Sequence, residues 1–295
     1  MKYNVLNDFE FIKEYLSISE SDLSRELGKP RSTFNYWKHN EESVSAASLA
    51  SLYEYAYKNE IYLNKIKEQI YKDLENNKTK ILFHGAKKKI DTKLNISYSK
   101  SNNDFGKGFY LGESLYQSAT FVANYPSSNI YICKYNSNTK LNVVNFDIDE
   151  EWMLAIAYYR NRIPDYINNK KISNIIKKVD NADVIIAPIA DNNMYLVIEN
   201  FIDGIITDKQ CLSALSATNL GKQYVFKTNK ALESLLILEQ CYLCSSEKLD
   251  YLKEKETNDK IGAQKTKMAQ RKFAGKGKYI EELLKWENLI VKVCN

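Results

Sequence analysis

Residues 104–119 read Asp104-Phe105-Gly106-Lys107-Gly108-Phe109-Tyr110-Leu111-Gly112-Glu113-Ser114-Leu115-Tyr116-Gln117-Ser118-Ala119. A glycine-punctuated turn leads into a short aromatic strand, and the strand into a helix over about 114–124. Glycines break regular structure, whereas adjacent aromatic residues favour a pleated, half-buried surface. Working outward, KILFHG before this segment and NIYICKY, KLNVVNF, DVIIAPI and QYVFK after it read as further strands of β-branched and aromatic residues. Helices are expected at about 149–162, 191–201, 207–216 and 228–240. Their order is irregular and no glycine-rich phosphate fingerprint of the dinucleotide-binding type occurs, so an α+β domain is expected rather than a doubly wound parallel sheet.

Upstream, residues 8–58 predict four short helices: DFEFIKEYL, SESDLSREL, PRSTFNYWKHN and SAASLASLYEYAY. Ser19 caps the second helix with Asp22 three residues on, Pro30 suits a first turn, and Leu23, Leu27, Phe34 and Trp37 supply an interior. Leu63, Ile66, Ile70 and Leu74 form one helical stripe over 61–76, so the connection to the strand-rich part is expected to be an amphipathic helix. From Ser245 the chain is polar and helix-compatible, with a basic stretch around Lys265–Lys278 and a final amphipathic segment, KYIEELLKWENLIVKV. FAGKGK fails the phosphate-loop spacing and reads as a turn. The expected organisation is a helix-turn-helix domain over 1–60, a helical linker over 61–79, an α+β domain over 80–240 and a basic helical extension over 241–295.

Composition narrows the function classes. Of 295 residues, 44% are hydrophobic and 27% charged, with a net charge of +5. No apolar run approaches the roughly 20 residues of a membrane helix, and the N-terminus lacks the features of a signal peptide, so a cytoplasmic location and no membrane partner are expected. The five cysteines are scattered; Cys241 and Cys244 form a C-x-x-C without a second pair, which points to a buried helical pair rather than zinc, and no metal is expected. Residues 1–60 carry a balance of −3 and residues 246–295 one of +4. The first value weighs against phosphate neutralisation by the N-terminal helices, where only Arg25, Lys29, Arg31 and Lys38 are at hand. DNA binding through residues 8–58 and docking of those helices on a partner or on the rest of the chain therefore stand as equal expectations. The basic stretch is more simply a solvated helical face than a nucleic-acid patch.

Residues 8–58 resemble the Xre/Cro-type helix-turn-helix, whose second helix, here about Arg31–His39, enters the major groove. The remaining motifs resemble the ADP-ribosyltransferase superfamily in its poly(ADP-ribose) polymerase and diphtheria-toxin branch, whose sites are summarised as His-Tyr-Glu. The segments carrying the likeness are Phe83-His84-Gly85; Phe105–Tyr110 with Ser118-Ala119 and Asn124-Tyr125; and Lys222-Gln223-Tyr224-Val225-Phe226. Gln223 stands where that superfamily has glutamate. The chain also looks like a bacterial family of uncharacterised domains sharing the H-G, D-F-G-K-G-F-Y and A-P-I-A-D blocks, the last being Ala187–Asp191. The resemblance covers about Lys80–Leu238. It implies a split β-sandwich with flanking helices, NAD as substrate, and His84, Tyr110 and Gln223 as catalytic residues, with His84, Gly85, Gly108, Tyr110, Ser118 and Gln223 lining the NAD site.

Those residue types suit the chemistry. Gly85 lets backbone N–H and C=O approach a carboxamide, Tyr110 offers a stacking face, Ser118 a further hydrogen bond, and His84 a grip on a ribose hydroxyl. Nicotinamide leaves neutral, so cleavage through an oxocarbenium-like cation needs fixing and charge stabilisation rather than a general acid. A neutral Gln223 can hydrogen-bond a ribose but cannot act as a base, which argues against polymer synthesis. Asp104, Glu113 and Asp191 are nearby carboxylates by motif, and none can be assigned as the base from sequence. The leading expectation is a mono-ADP-ribosyltransferase acting on protein or nucleic acid, with a toxin or phage-defence role by analogy, and with an antitoxin or a second copy of the chain as partner. NAD hydrolysis, or an NAD-responsive DNA-binding regulator, are the alternatives.

Overall fold

The computed structural model describes residues 3–40, 44–90, 93–137, 140–190, 192–217 and 220–289. In chain order come α1 (Val5–Leu16), α2 (Glu20–Glu26), α3 (Arg31–His39), α4 (Ala46–Lys58) and α5 (Leu63–Lys72). The strand-rich part holds β1 (Thr79–Ala86), β2 (Phe109–Gly112), α6 (Leu115–Val122), β3 (Asn129–Asn136), β4 (Val143–Asn145), α7 (Glu150–Tyr159), α8 (Lys170–Asp180) and β5 (Val184–Pro188). It continues with α9 (Asn192–Ile202), α10 (Asp208–Ser216), β6 (Lys222–Phe226), α11 (Asn229–Leu232) and β7 (Leu235–Tyr242), and α12 (Ser245–Lys272) and α13 (Ile280–Leu289) follow. Strand pairing is mixed and helices are plentiful, so the fold is α+β. Two compact units emerge: residues 1–93, 112–137 and 235–255 form the first, and 94–111, 138–234 and 256–295 the second.

In the first unit β3 is central, antiparallel to β1 on one side and to β7 on the other. His84 lies opposite Tyr131 and Gly85 opposite Ile130, while Phe83 faces Gly112 at the end of β2. One face of these strands buries Ile81, Phe83, Ile130 and Ile132 against Leu115, Ala119 and Val122 of α6. α1–α4 enclose a core in which Phe9 stacks on Phe34 at 4.5 Å and Phe34 meets Trp37 edge-on at 4.9 Å, and which extends to Ile61, Leu63 and Cys244. Ser19 and Asp22 form the expected capping box, and Leu23, Leu27, Phe34 and Trp37 are all buried.

These helices are bound to the rest of the first unit by a buried polar cluster. Lys67 Nζ donates to Asp8 Oδ2 (2.7 Å), Glu239 Oε1 (2.6 Å) and Tyr53 Oη (3.0 Å), and the Tyr53 hydroxyl donates to Asp8. Burial opposes the charge on Lys67, but Tyr53, Asp8 and Glu239 around it hold its pKa above the ordinary lysine value. The expected stripe on α5 is thereby rotated. Leu63 is buried, yet Ile70 and Leu74 are 57% and 56% exposed, because the face carrying Asn64 and Lys67 turns inward to meet the carboxylates.

In the second unit β4 runs parallel to β5, β5 is antiparallel to β6, and β6 neighbours β2. Its core gathers Phe105, Phe146, Trp152, Ile156, Ile185, Phe201 and Val225. α8, unforeseen from the sequence, packs Ile172, Ile175 and Val179 into this core. The FAGKGK segment is a turn, with Gly275 and Gly277 at φ +72° and +97°. It docks on the start of α10: Thr207 Oγ1 donates to Lys276 O, and Lys278 N donates to Asp208 Oδ1 at 2.7 Å.

The helix expected over 228–240 is instead a single turn, α11, followed by β7. Leu235–Tyr242 is leucine-rich and lacks clean alternation, so pairing with β3 overrides local preference. Cys241 and Cys244 are buried, as expected, but at a strand end and the turn after it rather than on a helix. Burial pushes the Cys244 thiol up to about 12, far from a reactive thiolate at neutral pH. Cys294 lies outside the described residues. Among those described, no group of three or more His, Cys, Asp or Glu could hold a metal ion, and no helix is long and apolar enough to cross a membrane.

Candidate functional site

Three of the residues singled out in sequence belong to the first unit. His84 and Gly85 are successive residues of β1, and Ser118 is a buried member of α6. The His84 ring lies 6.3 Å from that of Tyr131, its cross-strand neighbour, in near-parallel orientation. Gly85 has a structural reason to lack a side chain: a Cβ there would lie 2.6 Å from the Ser118 carbonyl oxygen and 3.1 Å from Val122 Cγ1. The glycine lets α6 approach the strand, so Gly85 and Ser118 are brought together through backbone. Glu113 follows β2 directly, half-buried.

The other three, Gly108, Tyr110 and Gln223, belong to the second unit, where Gly108 and Tyr110 are part of one locked segment and Gln223 is on β6. The Tyr110 hydroxyl reaches back along the chain, donating to Gly106 O at 2.7 Å and accepting from Phe105 N at 3.1 Å. Burial raises the pKa of this hydroxyl well above the usual tyrosine range, so it remains a neutral donor. Lys227 Nζ donates to Phe105 O, and burial lowers the pKa of that lysine. Gly108 packs on β6, where a Cβ would fall 2.6 Å from Val225 Cγ1. The D-F-G-K-G-F-Y segment is thus pinned by its own tyrosine, by a lysine and by a neighbouring strand.

Gln223 is buried, and its Nε2 donates to Asp104 Oδ2 at 2.9 Å and to Pro188 O at 3.0 Å. Asp104 is equally buried, and its other oxygen accepts from Arg160, Nε at 2.8 Å and Nη2 as well. The Arg160 guanidinium sits 4.0 Å from the Tyr195 ring centroid. Of the three carboxylates named by motif, Asp104 is therefore the one on Gln223, while Asp191 lies outside the described residues. Arg160 carried no sequence signal for this role, and Pro188, though part of the A-P-I-A-D block, gave no sign of its partner; an arginine at a helix end is unremarkable until the fold brings it to Asp104.

Two of the four cations on or beside α2 and α3 pair with one acid, Lys38 at 2.9 Å and Arg31 at 3.7 Å from Glu20, and Arg25 pairs with Asp22 at 3.2 Å.

No curated protein and no solved structure matches the chain. A family model described as "Protein of unknown function (DUF3990)" matches residues 80–237, more than half of the chain, and to that family the chain belongs.

Proposed function

We propose that the chain binds NAD and breaks its nicotinamide–ribose bond as a mono-ADP-ribosyltransferase of ADP-ribosyltransferase-like fold. The observation carrying this reading is the setting of the motifs. His84-Gly85 and Phe109-Tyr110 are on strands, Ser118 is on the helix after the second of these, and Gln223 is on a later strand. That is the chain order and element type the resemblance implies. The pinned turn also supports the reading, since a platform held by its own hydrogen bonds loses little freedom when a ring stacks on it.

In this reading the second unit offers the Tyr110 ring to nicotinamide while the Tyr110 hydroxyl holds the turn, and Gln223 holds a ribose hydroxyl. Bond cleavage releases neutral nicotinamide and leaves the ribosyl carbon electron-poor, so an acceptor nucleophile completes the exchange. Gln223 is neutral and cannot take a proton from that acceptor. Asp104 carries a negative charge one hydrogen bond away, but Arg160 offsets it. Single transfer to a good nucleophile fits this site better than chain growth. The same neutrality favours, as a second reading, an NAD-responsive regulator with little turnover, acting through α2 and α3.

Incubation of the purified chain with adenylate-labelled NAD, total protein and nucleic acid separates the readings. Label bound covalently to macromolecule is expected. Free ADP-ribose without transfer would assign hydrolysis, binding without nicotinamide release the regulator, and absence of binding would refute all three.

A further inference from the structure

Gln223 has two amide hydrogens, and both are spent. One goes to Asp104 Oδ2 at 2.9 Å and the other to Pro188 O at 3.0 Å. Neither acceptor is free to turn away. Pro188 is held in β5, paired with Lys222 of β6, and the Asp104 carboxylate is held at its other oxygen by two nitrogens of Arg160. A flipped amide would set Oε1 against a carboxylate oxygen and a carbonyl oxygen, losing two hydrogen bonds and adding two repulsions in a buried place. The amide therefore has one orientation, and Oε1 is the polar atom left to meet a ligand.

We propose that Asp104, braced by Arg160, is a positioning residue that presents Gln223 as a pure hydrogen-bond acceptor, so that the site takes a ligand hydroxyl that donates and discriminates against a group that only accepts. The proposal rests on the reading of this site as an NAD pocket, with one hydroxyl of the nicotinamide-side ribose as the donor. It also accounts for glutamine at this position. A carboxylate at 223 would offer no hydrogen to Asp104 or to Pro188 and would place two like charges within hydrogen-bond distance, an arrangement that forces one of them to bind a proton. Glutamine keeps the acceptor and removes the conflict.

The test measures binding to the full chain by calorimetry, with NAD and with two analogues in which fluorine replaces either the 2′- or the 3′-hydroxyl of the nicotinamide-side ribose. Fluorine cannot donate. At least one analogue is expected to bind about tenfold or more weaker than NAD, because the Gln223 acceptor then loses the hydrogen that a hydroxyl supplies. In Asp104→Asn Arg160 retains an oxygen and turns the side-chain amide nitrogen toward Gln223, so Nε2 loses its carboxylate acceptor, Pro188 O alone is left to hold the orientation, and the gap between NAD and that analogue is expected to shrink severalfold. Equal binding of all three ligands to the wild type, or a gap unchanged in Asp104→Asn, overturns the proposal. If the wild type binds no NAD, the functional reading fails by itself. The lock is then decided by thermal unfolding: Gln223→Glu is expected to lower the melting temperature and Asp104→Asn added to it to restore several degrees, and no such rescue overturns the lock.

Discussion

At the scale of single residues the glycines divide into those a ligand could explain and those the fold already explains. Gly85 belongs to the second kind as much as to the first, because α6 rests its backbone where a side chain would begin. Gly85→Ala must push apart a strand and a helix at a backbone contact of 2.6 Å, where no flexible side chain can yield. A loss of about 1–3 kcal/mol is expected, as for other overpacked sites, and a melting temperature within a degree of wild type would show that the contact is slack. The residue pattern that was legible in sequence is one of order: His84, Tyr110 and Gln223 fall on strands as expected. What could not be read is the company Gln223 keeps. Asp104 is 119 positions away in the chain, and Arg160 is 56 positions beyond Asp104. No local spacing connects groups at such separations; only the pairing of β5 with β6 and the end of α7 bring them together.

At the scale of elements, α5 and the start of α12 show a helix face chosen by charge. Asn64 Nδ2 donates to Tyr242 O at 2.7 Å and to Glu247 Oε2 at 2.8 Å, while Asn64 Oδ1 is buried without a partner among the described residues. Burial pushes the Glu247 carboxyl up to about 7 from its ordinary 4.5, against the smaller opposing pull of Asn64 and of Lys65 and Lys67. The folded chain thus holds a proton on Glu247 that the unfolded chain has released. Between about pH 4.5 and pH 7 the folded state binds more protons, so this group makes stability fall as pH rises, by about 3 kcal/mol across the window. Glu247→Gln keeps an acceptor for Asn64 and removes the titration. Urea denaturation at pH 5 and pH 8 should show the variant flatter between the two and more stable than wild type at pH 8; an unchanged slope would locate the titration elsewhere. Sequence periodicity placed a helix here correctly but chose Ile70 and Leu74 for its inner face, since an apolar count does not see that Asp8 and Glu239 await Lys67. β7 was missed for a related reason: its leucines carry helical preference, and only β3 makes them a strand.

At the scale of the whole chain, the four N-terminal helices were legible because their caps are local, each within a few residues of its partner. Docking of these helices on the rest of the chain was one of two equal expectations, but the residues that make it were not legible, because they are distant in sequence. The core of α1–α4 runs on through Ile61, Leu63 and Tyr242 to Cys244. Asp8 and Tyr53 share Lys67 with Glu239, and Tyr3 Oη accepts from Gln240 Nε2 at 2.8 Å. Deleting residues 1–60 would open this core and leave Lys67 facing Glu239 with two of its partners gone. Removing one side of a buried ion cluster costs about 3–5 kcal/mol before any apolar loss is counted, a large share of the 5–15 kcal/mol typical of a folded domain. The fragment 61–295 is therefore expected to lose its cooperative thermal transition or to melt more than about 10 °C below the full chain. A DNA-binding module joined by a simple linker behaves in the opposite way, since its removal leaves the remainder with an unaltered transition. Circular dichroism melts of the full chain and of the fragment distinguish the two, and an unshifted midpoint in the fragment would mean that the polar cluster contributes nothing to holding the helices in place.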